Sequence, residues 1–313
     1  MKKIPAKVKE IQEHKLKQEA GAKNISFSQL SVYLNCPKCW ERSYLRKEAV
    51  YEPSIHTCFG TAFHETLQDW LDILYNQSVK AATEVDLEDK LLQNLRKCYK
   101  AEKEKFGKDF TDSKTLTEFY EDGVAILDFI VKHRKAILPS TRDTWLVGCE
   151  VPIYTKLRDG FYFKGFIDIL TYDEKFDKWK IWDIKTSTRG WKDEKIDFVK
   201  TSQILLYKEY LSRQFGIPLE KIDAEYFIVK RKVPEDAEFA AMRKRVQEFV
   251  PNDGPRIHKK VVGQIDQFIS DALDSNGEYV DKDYPKNPTV KNCKWCLFRD
   301  SCPGYAAVCS SQG

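Results

Sequence analysis

Phe161-Tyr162-Phe163-Lys164-Gly165-Phe166-Ile167-Asp168-Ile169-Leu170 and Trp179-Lys180-Ile181-Trp182-Asp183-Ile184-Lys185 are two runs rich in aromatic and β-branched residues. That is the composition strands prefer. Asp173-Glu174-Lys175 between them reads as the turn of a hairpin. Side chains alternate along a strand, so Asp183 and Lys185 share one face and Ile184 takes the other. Asp168 belongs to the neighbouring strand. Two acids beside one lysine are the minimum equipment for metal-assisted phosphodiester hydrolysis, because they can hold a divalent cation and leave an amine near its bound water. The plainer reading of Asp-x-Lys is a solvated salt bridge worth roughly 0–1 kcal/mol. Independent features of the chain have to decide between the two.

The chain has 313 residues, 42% of them hydrophobic and 32% charged. That suits a soluble globular protein of one large domain or two small ones. Net charge is +4, which neither demands nor excludes a nucleic-acid partner. No run of eighteen apolar residues is present, so no helical membrane span is expected. Met1-Lys2-Lys3-Ile4-Pro5-Ala6-Lys7 has no apolar core of a signal peptide, and a cytoplasmic location is expected. Residues 1–24 carry seven lysines against three glutamates. This reads as a basic arm on phosphates or, more simply, a frayed helix.

Residues 1–20 have helical composition. A second helix opens at Ser26-Phe27-Ser28-Gln29-Leu30, with Ser26 or Ser28 as N-cap. Gly60 to Tyr75 places Phe63, Leu67, Trp70, Leu71 and Leu74 on one stripe. Helices are also expected at 86–105 and 114–137. After Pro139 the pattern turns to strands, at 145–154, 161–171, 178–186 and 224–231, with a helix at 199–214. A further strand is read at 244–250, then a helix from Asp253-Gly254-Pro255 to about Leu273. Strands in this order with packed helices form an α/β core. The expected divisions are an N-terminal arm (1–25), a helical part (26–140), an α/β core (141–286) and a cysteine-rich tail (287–313).

Other polar residues fall in a telling order. His64 lies on the 60–75 helix, and imidazole suits a transition-series cation, although a lone helical histidine is commonly just packed. Glu150 precedes the hairpin and could reach the same site or simply mark a strand's polar side. Gln203 and Tyr207, four apart, share a helix face and could donate to phosphate or be ordinary surface residues. Gly60/His64, Glu150, Gly165/Asp168, Asp183/Lys185 and Gln203/Tyr207 together resemble the PD-(D/E)XK nuclease superfamily in its RecB-like branch, over roughly residues 26–305. Ser26 through Leu30 and Tyr33-Leu34-Asn35-Cys36-Pro37 add to the likeness. The resemblance implies a restriction-endonuclease-like core, a small mixed sheet flanked by helices. It implies that His64, Asp168, Asp183 and the Ile184 carbonyl hold Mg²⁺ or Mn²⁺. Lys185 would orient or deprotonate the attacking water, Glu150 would serve as an outer or second-metal acid, and Gln203 and Tyr207 would fix the substrate backbone. The superfamily's Pro-Asp is Ile167-Asp168 here, a departure common in that branch.

Nine cysteines occur in the chain. Cys293-Lys294-Trp295-Cys296 and Cys302-Pro303 put three thiols close in sequence, a metal-site spacing. Zinc and an iron–sulfur cluster both accept four thiolates, and spacing does not separate them. The resemblance favours a 4Fe–4S cluster and supplies Cys36 as the fourth ligand, with Cys39 as competitor and zinc as the lesser alternative. Cys58, Cys98, Cys149 and Cys309 read as ordinary thiols.

The functional expectation is a metal-dependent DNA exonuclease on single-stranded ends or flaps, in recombination, repair, phage DNA processing or CRISPR adaptation. Two alternatives stand beside it: a catalytically idle iron–sulfur DNA-binding subunit, and a zinc-stabilised interaction protein of unrelated fold. No Gly-x-x-x-x-Gly-Lys-Ser/Thr loop is present. Unwinding would therefore fall to a partner such as a helicase, recombinase or CRISPR integrase. Homo-oligomerisation is left open.

Overall fold

A computed structural model describes residues 3–192, 198–234, 236, 238–274 and 276–305; Cys309 lies outside them. Helix α1 (Ala6–Glu13) buries Val8 and Ile11, and residues 15–19 beyond it are not helical. The segment expected as a basic arm is thus docked on the core. Lys7 Nζ donates to the Phe215 carbonyl at 2.9 Å. The next element, β1 (Lys23–Ile25), is a three-residue strand that the sequence reading did not include.

Ser26 rather than Ser28 caps α2 (Phe27–Asn35), its hydroxyl accepting from the Gln29 amide at 3.2 Å. α3 (Pro37–Trp40) starts on its proline and runs into a π-helical turn, Glu41–Leu45. α4 (Ile55–Asn76) begins at Ile55 rather than Gly60, because Ser54 caps it. α5 (Val79–Thr83), α6 (Leu87–Phe106) and α7 (Ser113–Ile137) follow, the last two capped by Asp86 and Asp112. Gly107 ends α6 at φ +66°, a left-handed conformation that glycine adopts without strain.

Strands β2 (Thr144–Arg158), β3 (Phe161–Asp173) and β4 (Lys178–Ser187) form an antiparallel meander. Asp173 closes the β3–β4 turn, accepting from the amides of Lys175 and Phe176 at 2.9 and 3.0 Å. α8 (Phe198–Phe215) then crosses to β5 (Ile222–Lys230), which runs parallel to β4, and β6 (Val246–Phe249) pairs antiparallel with β5. α9 (Pro255–Ala272) and the short α10 (Val290–Cys293) complete the chain. The sheet is mixed and six-stranded, with helices on both faces, as expected for a restriction-endonuclease-like core.

Two apolar clusters sandwich the sheet. One joins Ile181 and Tyr226 to residues of α1, α2, α8 and α9; the other joins Trp182 and Ile184 to residues of α4, α6 and α7. Fully burying a side chain such as Ile184 stabilises by about 1.5–3 kcal/mol, and these even-numbered anchors fix which way the odd-numbered ones point. The site depends on a fork in the sheet. β3 pairs with β4 only from Ile169↔Trp182 to Asp173↔Lys178. Beyond that, β4 continues along β5 while β1 takes the same edge of β3 at Phe161–Phe163. Asp168 and Asp183 each stand one residue past the last pair, at the mouth of the fork.

Candidate active site

Parting the strands releases backbone groups that the ladder would otherwise satisfy. The Ile184 amide donates instead to Asp168 Oδ2 at 2.8 Å. This ties one acid to the strand carrying the other. Asp183 is 1% exposed, and Lys185 Nζ lies 2.6 Å from its Oδ2. Apart from that ion contact, neither Asp183 oxygen has a hydrogen-bond partner. Burial pushes both Asp168 and Asp183 up to about 6, and Lys185 opposes the shift in each. Two buried carboxylates with so few donors are a costly arrangement. A cation held at the fork would relieve the cost for both acids at once.

His64, on α4, reaches the same place: its Nδ1 is 3.7 Å from Asp168 Oδ2, and the Ile184 carbonyl accepts from its ring. Burial, then Lys185, holds the imidazole below its usual range, a shift toward the neutral form that a metal ligand needs. Among the described residues no group of three or more His, Cys, Asp or Glu is already gathered as a cation cage. The donors nevertheless fit one. Asp168, Asp183, His64 and the Ile184 carbonyl converge on the fork as hard and borderline ligands of the kind Mg²⁺ and Mn²⁺ accept.

Lys185 Nζ donates to Gln203 Oε1 at 3.1 Å, and Gln203 Nε2 donates to the Tyr207 hydroxyl at 3.2 Å. The four-residue spacing on α8 thus builds a relay onto the lysine. Tyr207 packs on Gly165 so closely that a Cβ there would stand 2.6 Å from its ring. The glycine before Asp168 is therefore required for close approach.

Glu150 faces the fork from β2 in a left-handed conformation, φ +52°. A non-glycine residue held there costs on the order of 1–3 kcal/mol and calls for compensation. Gln68 supplies it, donating from Nε2 to Glu150 Oε1 at 2.9 Å and to the Asp168 carbonyl at 3.0 Å. Gln68 escaped the sequence reading. Its only signal was its position, one turn after His64 on the same helix face.

The cysteines form a second centre. Cys36, Cys39, Cys293, Cys296 and Cys302 line one pocket between α3 and the C-terminal segment. The eight described cysteines are all free thiols. Cys39 Sγ is 3.9 Å from Cys296 Sγ, and burial, then Cys296, pushes Cys39 up to about 12. Cys36 Sγ accepts from the Asn287 amide at 3.5 Å. Five thiols line this pocket where four were expected, though among the described residues they are not gathered as a metal cage. Of the others, Cys58 and Cys98 pair with each other between α4 and α6.

Two acids and a lysine at a sheet fork, on a restriction-endonuclease-like core, define a metal-dependent nuclease class. A sequence profile of the PD-(D/E)XK nuclease superfamily matches residues 24–303, and the chain belongs to that superfamily. No curated protein matches it. The family assignment and the fold set aside the zinc-stabilised protein of unrelated fold. No helix among the described residues is long and apolar enough to cross a membrane.

Proposed function

We propose that this chain is a metal-dependent DNA exonuclease acting on single-stranded ends or flaps, of the RecB-like type with a 4Fe–4S cluster. The observation that carries the catalytic part is Asp183, buried, with the Lys185 ammonium as its one partner and Asp168 adjacent. In this reading His64, Asp168, Asp183 and the Ile184 carbonyl hold Mg²⁺ or Mn²⁺. The bound cation supplies a water of lowered pKa and neutralises charge on the phosphate. Lys185 orients or deprotonates that water. Gln203 and Tyr207 hold Lys185 in line, a duty beside the substrate contact expected from sequence. Glu150, fixed by Gln68, stands as the outer acid.

The cysteine centre is read as structural, tying α3 to the C-terminal segment across the nuclease core. Its place in recombination, repair, phage DNA processing or CRISPR adaptation, in a cytoplasm, beside a helicase, recombinase or integrase, follows from the resemblance alone. The test is cleavage of end-labelled single-stranded DNA with Mg²⁺ or Mn²⁺, using anaerobically purified protein and its Asp183→Ala variant. Shortening by the wild type alone supports the reading, and the label's position gives polarity. Binding by both without cutting by either transfers the reading to a DNA-gripping subunit.

A further inference from the structure

Beyond Lys185 the sheet carries a second set of cations. Ser187 on β4 pairs with Lys230 on β5, as Lys185 pairs with Ile228. Lys230 therefore stands two residues further along, at the end of β5, where the sheet edge meets the α7 side. The Lys230 amide donates to the Arg245 carbonyl at 2.8 Å, which brings the segment Ala240–Lys244 alongside. There, between the β6 edge and the C-terminal half of α7, lies a cleft of about 870 Å³ whose lining includes Lys132, His133, Lys230, Arg243, Lys244 and Glu248. That is four lysine and arginine side chains against one carboxylate.

None of Lys132, Lys230, Arg243 and Lys244 has an ion-pair partner among the described residues. Elsewhere lysines and arginines are commonly paired: Lys180 with Glu225, Lys208 with Asp253, Arg231 and Lys232 with Asp122. Lys230 and Lys244 even repel, and that repulsion adds to burial in lowering Lys230. On a chain of 52 basic and 48 acidic residues, uncompensated like charges in one cleft await an anion. The same loop exposes Phe239 (65%) and Met242 (53%). Cations beside exposed flat or polarisable side chains are the equipment for a single strand, whose phosphates meet the charges and whose unpaired bases stack.

We propose that the cleft at the β6 edge, formed by Lys132, Lys230, Arg243 and Lys244 with Phe239 beside it on the α7 side of the sheet, is a binding track for single-stranded DNA. The proposal rests on the nuclease reading for the choice of nucleic acid, while the charge of the cleft stands on its own. A duplex gains less from it, since paired bases cannot stack on Phe239.

The test measures binding of a 3′-fluorescein-labelled thirty-nucleotide oligothymidylate by anisotropy in EDTA, across a salt series. It compares wild type, Arg243→Ala/Lys244→Ala, Phe239→Ala, and a control pair, Lys100→Ala/Lys114→Ala, which removes the same charge from the exposed helical side. The cleft pair is expected to bind at least about tenfold more weakly, with the slope of log K against log salt reduced by about 1.4. Phe239→Ala is expected to weaken the single strand more than a duplex of equal length. Unchanged affinity and slope in the cleft pair overturn the track. So does an equal loss in the control pair, which assigns the effect to overall charge. Because EDTA removes cleavage from the readout, a wild type that binds through the cleft but never cuts with Mg²⁺ or Mn²⁺ overturns the nuclease reading and leaves the track standing.

Discussion

Asp183 concentrates the chemistry in one side chain. It is 1% exposed, has the Lys185 ammonium on one oxygen and no other hydrogen-bond donor among the described residues, and shares its pocket with Asp168. Desolvation raises both acids to about 6. A carboxylate whose folded pKa lies above its unfolded value contributes stability below the unfolded pKa and loses it as pH rises through the folded one. In metal-free protein this contribution is therefore lost between about pH 4 and 7. Two pKa units correspond to about 3 kcal/mol, an upper figure for a pair that Lys185 partly neutralises. The melting temperature of metal-free protein is expected to fall across that window and to be restored at pH 7.5 by Mn²⁺ or Mg²⁺. Asp183→Asn should flatten the fall and abolish both the restoration and cleavage. A melting temperature indifferent to pH and cation would remove the buried-acid account. Gln203→Ala, which leaves the metal donors intact and only unties Lys185, is expected to lower kcat without eliminating it.

At the scale of elements, the two strands around the fork were legible because alternation with period two is local. Trp182 and Ile184 inward on one side fix Asp183 and Lys185 on the other, whatever the rest of the chain does. The helices were legible through their apolar stripes. Their starts were less so: α4 begins at Ile55 because Ser54, not the stripe, sets its cap. β1 was missed because three residues carry no periodicity and are held only by pairing with β3, far along the chain. Glu150 was named from the sequence, but its left-handed conformation and its tether Gln68 were missed, because a backbone dihedral leaves no trace in composition and a glutamine on a helix looks like any other. Two predictions belong here. Gly165→Ala must push a methyl to within 2.6 Å of the Tyr207 ring, and it is expected to cost at least about 1–3 kcal/mol and to misplace the Gln203–Lys185 relay. Tyr207→Ala opens that space, so it should relieve the steric cost of Gly165→Ala in a double-mutant melt. Additive losses would mean that the ring is not the obstacle. Gln68→Ala frees a residue held at φ +52°, and the expected result is a fall in cleavage out of proportion to any change in melting temperature.

For the whole molecule, the question is what joins the two ends of the chain. Hydrogen bonds already do part of this: Asn287 and Asn292 donate to the Asn35 carbonyl at 2.9 and 2.8 Å, and Lys38 N donates to the Pro285 carbonyl at 3.1 Å. Arg42 stacks 4.1 Å from the Phe298 ring centre. Such contacts alone order the tail only weakly, because much of that segment is exposed. A group bound by thiolates from both ends stabilises the folded state alone, as any ligand of the native form does. Sequence could name Cys293, Cys296 and Cys302 by spacing, but it could not choose between Cys36 and Cys39, three residues apart on either side of Pro37. The fold brings both to the pocket, with Cys39 within 3.9 Å of Cys296. On the proposed reading, four-thiolate coordination would leave one sulfur spare. Cys293→Ala is expected to lose the bound metal and to melt several degrees lower. Cys36→Ala and Cys39→Ala should differ: the ligand's variant loses iron and visible absorbance, while the spare's keeps both. Metal content by elemental analysis, with the absorption spectrum of anaerobically purified protein, reads the outcome directly. Iron with a broad visible band identifies the cluster, and colourless protein with stoichiometric zinc identifies the alternative. A Cys293→Ala protein that stays coloured and melts with the wild type would mean the centre is not what ties the ends together.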